Sequence, residues 1–107
     1  GGFSEINAKG AKVNIGANCD IASFVSINVA DTHKRCIGKK KTKDVKNIII
    51  GNKVFIGSHS VILGGAKIGN NSVVSAGTVV RSKNIPPYSL VFGNPVVIKK
   101  GYYKNRK

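Results

Sequence analysis

An isoleucine or valine returns at every sixth residue over much of this 107-residue chain. An α-helix would bury residues with a period of about 3.6, and a half-buried strand with a period of about two. A six-residue period fits neither and is typical of a coil whose short sides each bury one aliphatic residue before the chain turns. The aliphatic positions are Ile15, Ile21 and Ile27, and later Ile50, Ile56, Ile62, Ile68, Val74 and Val80.

Small or β-branched residues form a second series, four positions after each aliphatic residue. Glycine also follows three of the aliphatic residues directly, at Gly51, Gly57 and Gly69. Glycine relaxes the backbone where it must bend, so we expect these positions to help the chain around corners. The small residues of the longer series are Val54, Ser60, Ala66, Ser72 and Thr78, and Cys19 and Val25 match them earlier.

The two series predict an all-β prism with three sides, in which six residues form a side and eighteen residues close a coil. Successive coils would stack as parallel strands about 4.8 Å apart. The alternative is a β-sandwich with short strands and Gly/Asn turns, but a sandwich has no reason to keep a strict six-residue register. The predicted stacked pairs are Ile50 with Ile68, Ile56 with Val74, and Ile62 with Val80.

The register breaks once, between Ile27 and Ile50. Residues 28–49 are polar and basic, and the sequence predicts that they form a loop extruded from one corner that does not contribute to the core. Long loops in compact domains are often functional. His33, Asp31 and Cys36 all lie in this segment.

After Val80 the period stops, and Pro86 and Pro87 are predicted to end the coil. The predicted organisation is a repeat domain over residues 1–84, with the inserted loop 28–49, followed by a C-terminal extension and basic tail over residues 85–107.

The chain is strongly basic, with 18 Lys and Arg against 4 Asp and Glu and a formal net charge of +14. Such a surface favours nucleic acid, anionic lipid or phosphorylated small molecules as partners. The few aromatic residues do not interleave with the basic ones, so we expect no nucleic-acid binding. No apolar run approaches the roughly 18 residues of a spanning helix, and no secretory signal is recognisable, so we expect no membrane insertion.

Two cysteines, Cys19 and Cys36, do not make a disulfide framework. Cys19 occupies an inward small-residue position, where packing is expected, and both residues fit a reducing cytoplasm. A short coil leaves two open ends, so we expect self-association, and threefold symmetry suits a three-sided prism. The chain contains no methionine, and we expect that an N-terminal portion of the natural protein is missing.

His33 is the natural candidate for a general base, because histidine has an unperturbed pKa near neutrality. Asp31 is placed to orient its ring, although an exposed histidine without a role remains the alternative. Nucleophilic catalysis by Cys36 with His33 is a second arrangement. His59 is expected to face outward, to solvent or to another subunit. Zinc would need three or four ligands, which two histidines and two cysteines split between loop and core do not supply, so we expect no metal.

The chain resembles the hexapeptide-repeat acyltransferases, most closely the branch of maltose, galactoside and nucleotide-sugar acetyltransferases. The resemblance lies in the repeat units at residues 50–58 and 68–80 and in the closing segment at residues 85–95, which contains Gly93-Asn94-Pro95. It implies a left-handed parallel β-helix, an exception to the usual right-handed crossover. It also implies a homotrimer with active sites between subunits, and acetyl-CoA as co-substrate.

By the same resemblance His33 is the catalytic base, which takes a proton from an acceptor hydroxyl or amine as this group attacks the thioester without an acyl-enzyme. Ser58 and Ala76 match positions that meet the pantetheine arm, and a backbone N–H near Ser58 would stabilise the oxyanion. Ser82 stands where the family often has a lysine that meets the adenosine phosphates. This departure leaves open which basic residues meet the phosphates; the other cofactor-binding candidates are Arg81 and Lys83, and the acceptor-binding candidates are Asn7, Asn28 and Asp31.

The sequence thus predicts a cytoplasmic, acetyl-CoA-dependent O- or N-acetyltransferase that acts on a sugar or nucleotide-sugar in surface-polysaccharide synthesis. One alternative is a catalytically inactive structural hexapeptide protein. The other is a zinc enzyme similar to the γ-class carbonic anhydrases, which share the fold but need three zinc histidines per site.

Overall fold

The structure is a computed structural model that describes residues 2–30 and 45–105. Within these ranges the chain forms thirteen short strands and no helix, and each strand has only two or three residues. The strands are β1 (Glu5–Asn7), β2 (Val13–Ile15), β3 (Asp20–Ile21), β4 (Ser26–Asn28), β5 (Ile48–Ile50), β6 (Phe55–Ile56), β7 (Val61–Leu63), β8 (Lys67–Ile68), β9 (Val73–Val74), β10 (Val79–Val80), β11 (Asn84–Ile85), β12 (Leu90–Phe92) and β13 (Val97–Lys99).

Consecutive strands belong to three different sheets in turn, so the chain winds around a three-sided prism. The first sheet has the order β1-β4-β7-β10, the second β2-β5-β8-β11, and the third β3-β6-β9-β12 with β13 at its edge. All neighbours are parallel except β12 and β13. The described strands β1 to β12 therefore form a first, second, third and fourth coil of three strands each.

Aliphatic residues from successive coils stack in register along the axis of the prism. The three pairs predicted from the eighteen-residue spacing are all paired in the sheets: Ile50 with Ile68, Ile56 with Val74, and Ile62 with Val80. These six side chains are at most 2% exposed. The stacking confirms the predicted coil and explains why the period of six persists along the chain.

Buried hydroxyl groups occupy the small-residue positions at the corners. Ser60 Oγ and Thr78 Oγ1 both donate to Ser75 O, at 3.0 and 2.7 Å. Ser72 Oγ and Ser89 Oγ share Pro86 O in the same way, at 3.2 and 2.7 Å. Because each hydroxyl reaches a corner carbonyl, polar residues fit inside an aliphatic core without leaving a donor unpaired. Cys19 likewise packs against the core, half buried, as predicted.

The predicted loop 28–49 includes residues at both ends that belong to the strands and the core. Asn28 still belongs to β4, β5 begins at Ile48, and both Val29 and Ile48 are fully buried. An isolated antiparallel bridge between Ala30 and Val45 holds the two ends of the insertion together. The polar composition of the segment concealed these core residues, because they lie next to its ends. Residues 31–44, including Asp31, His33 and Cys36, lie outside the described residues.

The prediction that Pro86 and Pro87 end the coil was wrong. Strands β11 and β12 complete a fourth coil, in which Ile85 stacks on Ile68 and Val91 on Val74. The spacing there is seventeen residues, so the period shifts by one although the stacking continues. Pro86 and Pro87 lie in the turn between β11 and β12, where no ladder N–H is needed, and they do not interrupt a strand. Strand β11 spans the predicted domain boundary between residues 84 and 85.

Candidate functional site

The first corner of the prism is the turn from the third sheet into the first, and it holds Ser58 and Ala76. The Gly77 N–H donates to Ser58 O at 2.9 Å, which ties the two turns together on adjacent coils. A Cβ on Gly57 would lie 2.5 Å from Ala76 N, so only glycine allows the coils to approach this closely. The structure therefore brings Ser58 and Ala76 together, one above the other, as the eighteen-residue spacing predicts.

This corner presents backbone and small side chains to the surface. Ser58 is half buried, while Ala76 and Gly77 are exposed, and a Cβ on Gly77 would meet only open space. No acceptor among residues 2–30 and 45–105 receives a hydrogen bond from the Ser58 N–H. An extended ligand could therefore lie along the corner and receive hydrogen bonds from the backbone.

The second corner is the turn from the first sheet into the second, and it holds Ser82. Arg81, Ser82 and Lys83 are all exposed there. A Cβ on Gly65 would lie 2.5 Å from Ser82 Oγ and 3.3 Å from Lys46 Cδ. The stem of Lys46 and the Ser82 hydroxyl therefore both lie close to Gly65, on an exposed edge of the prism.

Sequence reasoning missed Lys46, because it lies within the segment interpreted as a loop. The signal was present: Lys46 precedes Ser82 by 36 residues, which is two coils of eighteen. Arg81 and Lys83 flank Ser82 in the chain, so three basic residues belong to this corner. Lysine and arginine at such density are suited to phosphate groups.

Asn7 and Asn28 are brought together, since β1 and β4 pair them in register. Each side-chain oxygen accepts a hydrogen bond from the backbone N–H two residues on, from Lys9 at 3.1 Å and from Ala30 at 3.0 Å. This is the usual asparagine-stabilised turn. Each amide oxygen therefore already accepts one hydrogen bond within its own turn, and the NH₂ group is the donor that each side chain can offer to a ligand.

His59 is exposed, as predicted, but it is part of an aromatic column at the first corner that the sequence did not reveal. The Phe24 ring stacks on the Phe3 ring, with centroids 5.5 Å apart, and on the His59 ring, with centroids 5.0 Å apart. All three residues have φ near +60°. That conformation costs an ordinary L-residue roughly 1–2 kcal/mol, and glycine or asparagine adopts it more readily.

A groove of about 320 Å³ on the second sheet contains none of the predicted site residues. It is lined mainly by β8, β11 and the turn that carries Pro86 and Pro87. In the described part of the chain, no group of three or more His, Cys, Asp or Glu side chains is arranged to hold a metal ion. A helix of the length and apolarity needed to cross a bilayer is likewise absent from residues 2–30 and 45–105.

Comparison with known proteins places these features in a family. Residues 47–82 match the family described as bacterial transferase hexapeptide (six repeats). The galactoside O-acetyltransferase of Escherichia coli K12 is 42% identical over 85 residues, which are 78% of this chain and 41% of the relative.

Two solved structures extend the match. A galactoside acetyltransferase in complex with coenzyme A has a TM-score of 0.75 at 36% identity and covers 92% of this chain and 50% of its own. The maltose O-acetyltransferase from Clostridium difficile 630 has a TM-score of 0.70 at 36% identity and covers 84% and 48%. The predicted fold class, an all-β left-handed parallel β-helix, is confirmed. The chain spans half or less of the length of each of these three relatives.

Proposed function

Since this chain belongs to the hexapeptide-repeat family of bacterial transferases, we propose that it is an acetyltransferase with acetyl-CoA as donor and a sugar or nucleotide-sugar as acceptor. The observation that carries the proposal is the first corner, where Ser58 and Ala76 lie on adjacent coils beside exposed backbone. Two relatives are named for acetyl transfer to a galactoside or maltose, and one structural neighbour is described in complex with coenzyme A.

The donor is proposed to reach from the second corner to the first. Its phosphates would meet Lys46, Ser82 and the flanking basic residues, and its pantetheine arm would pass Ala76 and end near Ser58. The surface between the corners carries the half-buried Val61 and Val79 of the first sheet, which suits an uncharged arm. The strongly positive charge of the chain would also speed the approach of an anionic donor.

The proposed chemistry is direct transfer with His33 as general base. The acceptor O–H or N–H gives its proton to the imidazole as the acceptor atom bonds to the thioester carbonyl carbon. The Ser58 N–H is the candidate donor to the oxyanion that then forms. When this oxyanion collapses, the C–S bond breaks and the coenzyme sulfur takes the proton back from the imidazolium. We propose a cytoplasmic homotrimer with the sites between subunits, which would let a loop of one subunit serve the corner of another.

The direct test is CoA thiol release from acetyl-CoA by the purified protein with a panel of glycosides and nucleotide-sugars. We expect release that depends on one class of acceptor, together with a product heavier by one acetyl group. If the protein binds no acetyl-CoA in calorimetry and no acceptor stimulates release, the proposal fails and a structural role for the repeat domain takes its place. Stoichiometric zinc in the purified protein would instead support the carbonic anhydrase alternative.

Replacing Lys46 by glutamine should raise the KM for acetyl-CoA about fivefold, or about 1 kcal/mol, with kcat within about twofold. Glutamine keeps a stem to cover Gly65 and removes the charge. The KM for acetyl-pantetheine, which lacks the phosphates, should not change. The matched control is Lys53→Asn, an exposed lysine at another corner whose φ of 55° asparagine tolerates. Equal effects on both donors would exclude a phosphate contact.

A further inference from the structure

The aromatic column of Phe3, Phe24 and His59 is the feature that the proposed function leaves unused. Phe3 is 86% exposed and Phe24 is 52% exposed. The rings stack along the axis of the prism, one from each of the first three coils, and the position above them in the fourth coil is Gly77. The column is therefore an apolar strip on the same corner that carries Ser58 and Ala76.

The turn itself does not require phenylalanine. Its backbone has φ of 62° at both Phe3 and Phe24, which favours glycine or asparagine. The fourth coil uses Gly77 at the equivalent position. The turn from the second sheet into the third also needs a positive φ, and two of its coils use Asn18 and Asn71. Two exposed phenylalanines at this corner therefore run against both the backbone preference and the usual placement of large apolar residues.

The order of the coils indicates what would lie on the strip. The proposed donor has its phosphates beside Ser82 in the fourth coil and its reacting end beside Ser58 in the third. An attacking acceptor atom must come within about 3–3.5 Å of the thioester carbon. Beyond Ser58 along the same corner, the next coil presents Phe24 and the one after it Phe3, so an acceptor that approaches from beyond the reacting end meets these rings.

The two faces of the Phe24 ring are covered by the stacked rings of Phe3 and His59, so a ligand at this corner meets the outer edges of the column. We propose that this edge, at Phe24 and at Phe3 below it, packs against the apolar C–H face of a sugar acceptor and holds it beside Ser58. The inference rests on the proposed function and names the part of the acceptor that is recognised. Aromatic rings supply a large, rigid apolar surface, and sugar sites combine such a surface with a few polar groups.

The test replaces Phe24 by asparagine, which the positive φ favours, so the fold should be kept. In the Phe24→Asn variant we expect the acceptor KM to rise about tenfold, while kcat and the KM for acetyl-CoA stay within about twofold. The separate variant Phe24→Tyr keeps an aromatic ring, so its acceptor KM should equal that of the wild type. The matched control is Tyr88→Asn, an exposed aromatic residue with φ of 60° at another corner, which should change neither KM.

Sugar binding should also be measured in the absence of turnover, by ligand-observed NMR with the same panel of glycosides. If the wild type binds no acetyl-CoA but Phe24→Asn still weakens sugar binding, the proposed function fails, and sugar binding at the aromatic column is supported. If acetyl-CoA is turned over and Phe24→Asn leaves the acceptor KM unchanged, the aromatic column does not bind the acceptor, and the proposed function stands. If the substitution instead dissociates an oligomer at unchanged acceptor KM, the strip is a contact between copies and the proposal is overturned.

Discussion

Replacing His33 by alanine should lower kcat for acetyl transfer by about 10²–10⁴-fold, the usual contribution of a positioned general base. The KM for acetyl-CoA should change little, because the proposed donor contacts are at Ser58, Ala76 and the basic residues around Ser82. The measurement is CoA thiol release at saturating donor and acceptor. Wild-type activity should also decline as the pH falls and the imidazole becomes protonated, because a base must be neutral to accept a proton.

The matched control is Cys36→Ala, three residues away in the same segment. Direct transfer predicts that it keeps wild-type kcat and that no acetylated protein accumulates in intact-mass measurements. If His33→Ala and wild type release CoA equally fast, the base is another group. If Cys36→Ala is inactive and wild type carries an acetyl group, transfer proceeds through a cysteine nucleophile instead.

Replacing Ile62 by alanine should lower the free energy of unfolding by about 2–5 kcal/mol. Ile62 is fully buried and lies in register between Ile27 of the second coil and Val80 of the fourth. Truncation would open a cavity that the neighbouring coils cannot close without losing their strand pairing. Denaturant unfolding followed by circular dichroism gives the value, provided that the transition is two-state.

Ile49→Ala is the control for that experiment, since Ile49 lies in β5 but is 42% exposed. Its loss should cost less than about 1 kcal/mol, as is usual for surface substitutions. Equal destabilisation by both substitutions would mean that the buried aliphatic residues stacked between coils are not the main source of stability. The comparison thus measures how much the buried row contributes beyond the hydrophobicity of isoleucine itself.

Much of the fold could be predicted because one physical requirement is repeated in the sequence. Each side of the prism must bury one aliphatic residue, so Ile50, Ile56 and Ile62 mark three consecutive sides without any need for an alignment. The prediction was wrong where that regularity lapses. Val29 and Ile48 border a polar insertion, and Ile85 arrives one residue early, yet burial in the finished core still recruits all three.

The candidate site was less predictable, because it depends on which turns meet across coils. Ser58 and Ala76 were found together since their spacing equals one regular coil. Lys46 could be paired with Ser82 only by counting two coils of eighteen back from Ser82, into a segment that its polar composition marked as a loop. The stack of Phe3 and Phe24 was hidden, because the paired strands of the first two coils are offset by 21 residues instead of eighteen. The role of His33 stays a prediction, since it lies outside the described residues.

Strand β13 gives the end of the prism a property that none of the earlier strands has. It runs antiparallel to β12, and Lys99 covers Phe92 and Tyr102 with its ammonium group, 5.8 and 5.6 Å from the ring centroids. A solenoid of identical parallel rungs could otherwise template another copy at its exposed rim and grow into a fibre. The antiparallel, lysine-bearing strand β13 covers the edge of the third sheet at β12. A second molecule that added a parallel strand to this edge would have to displace β13 first.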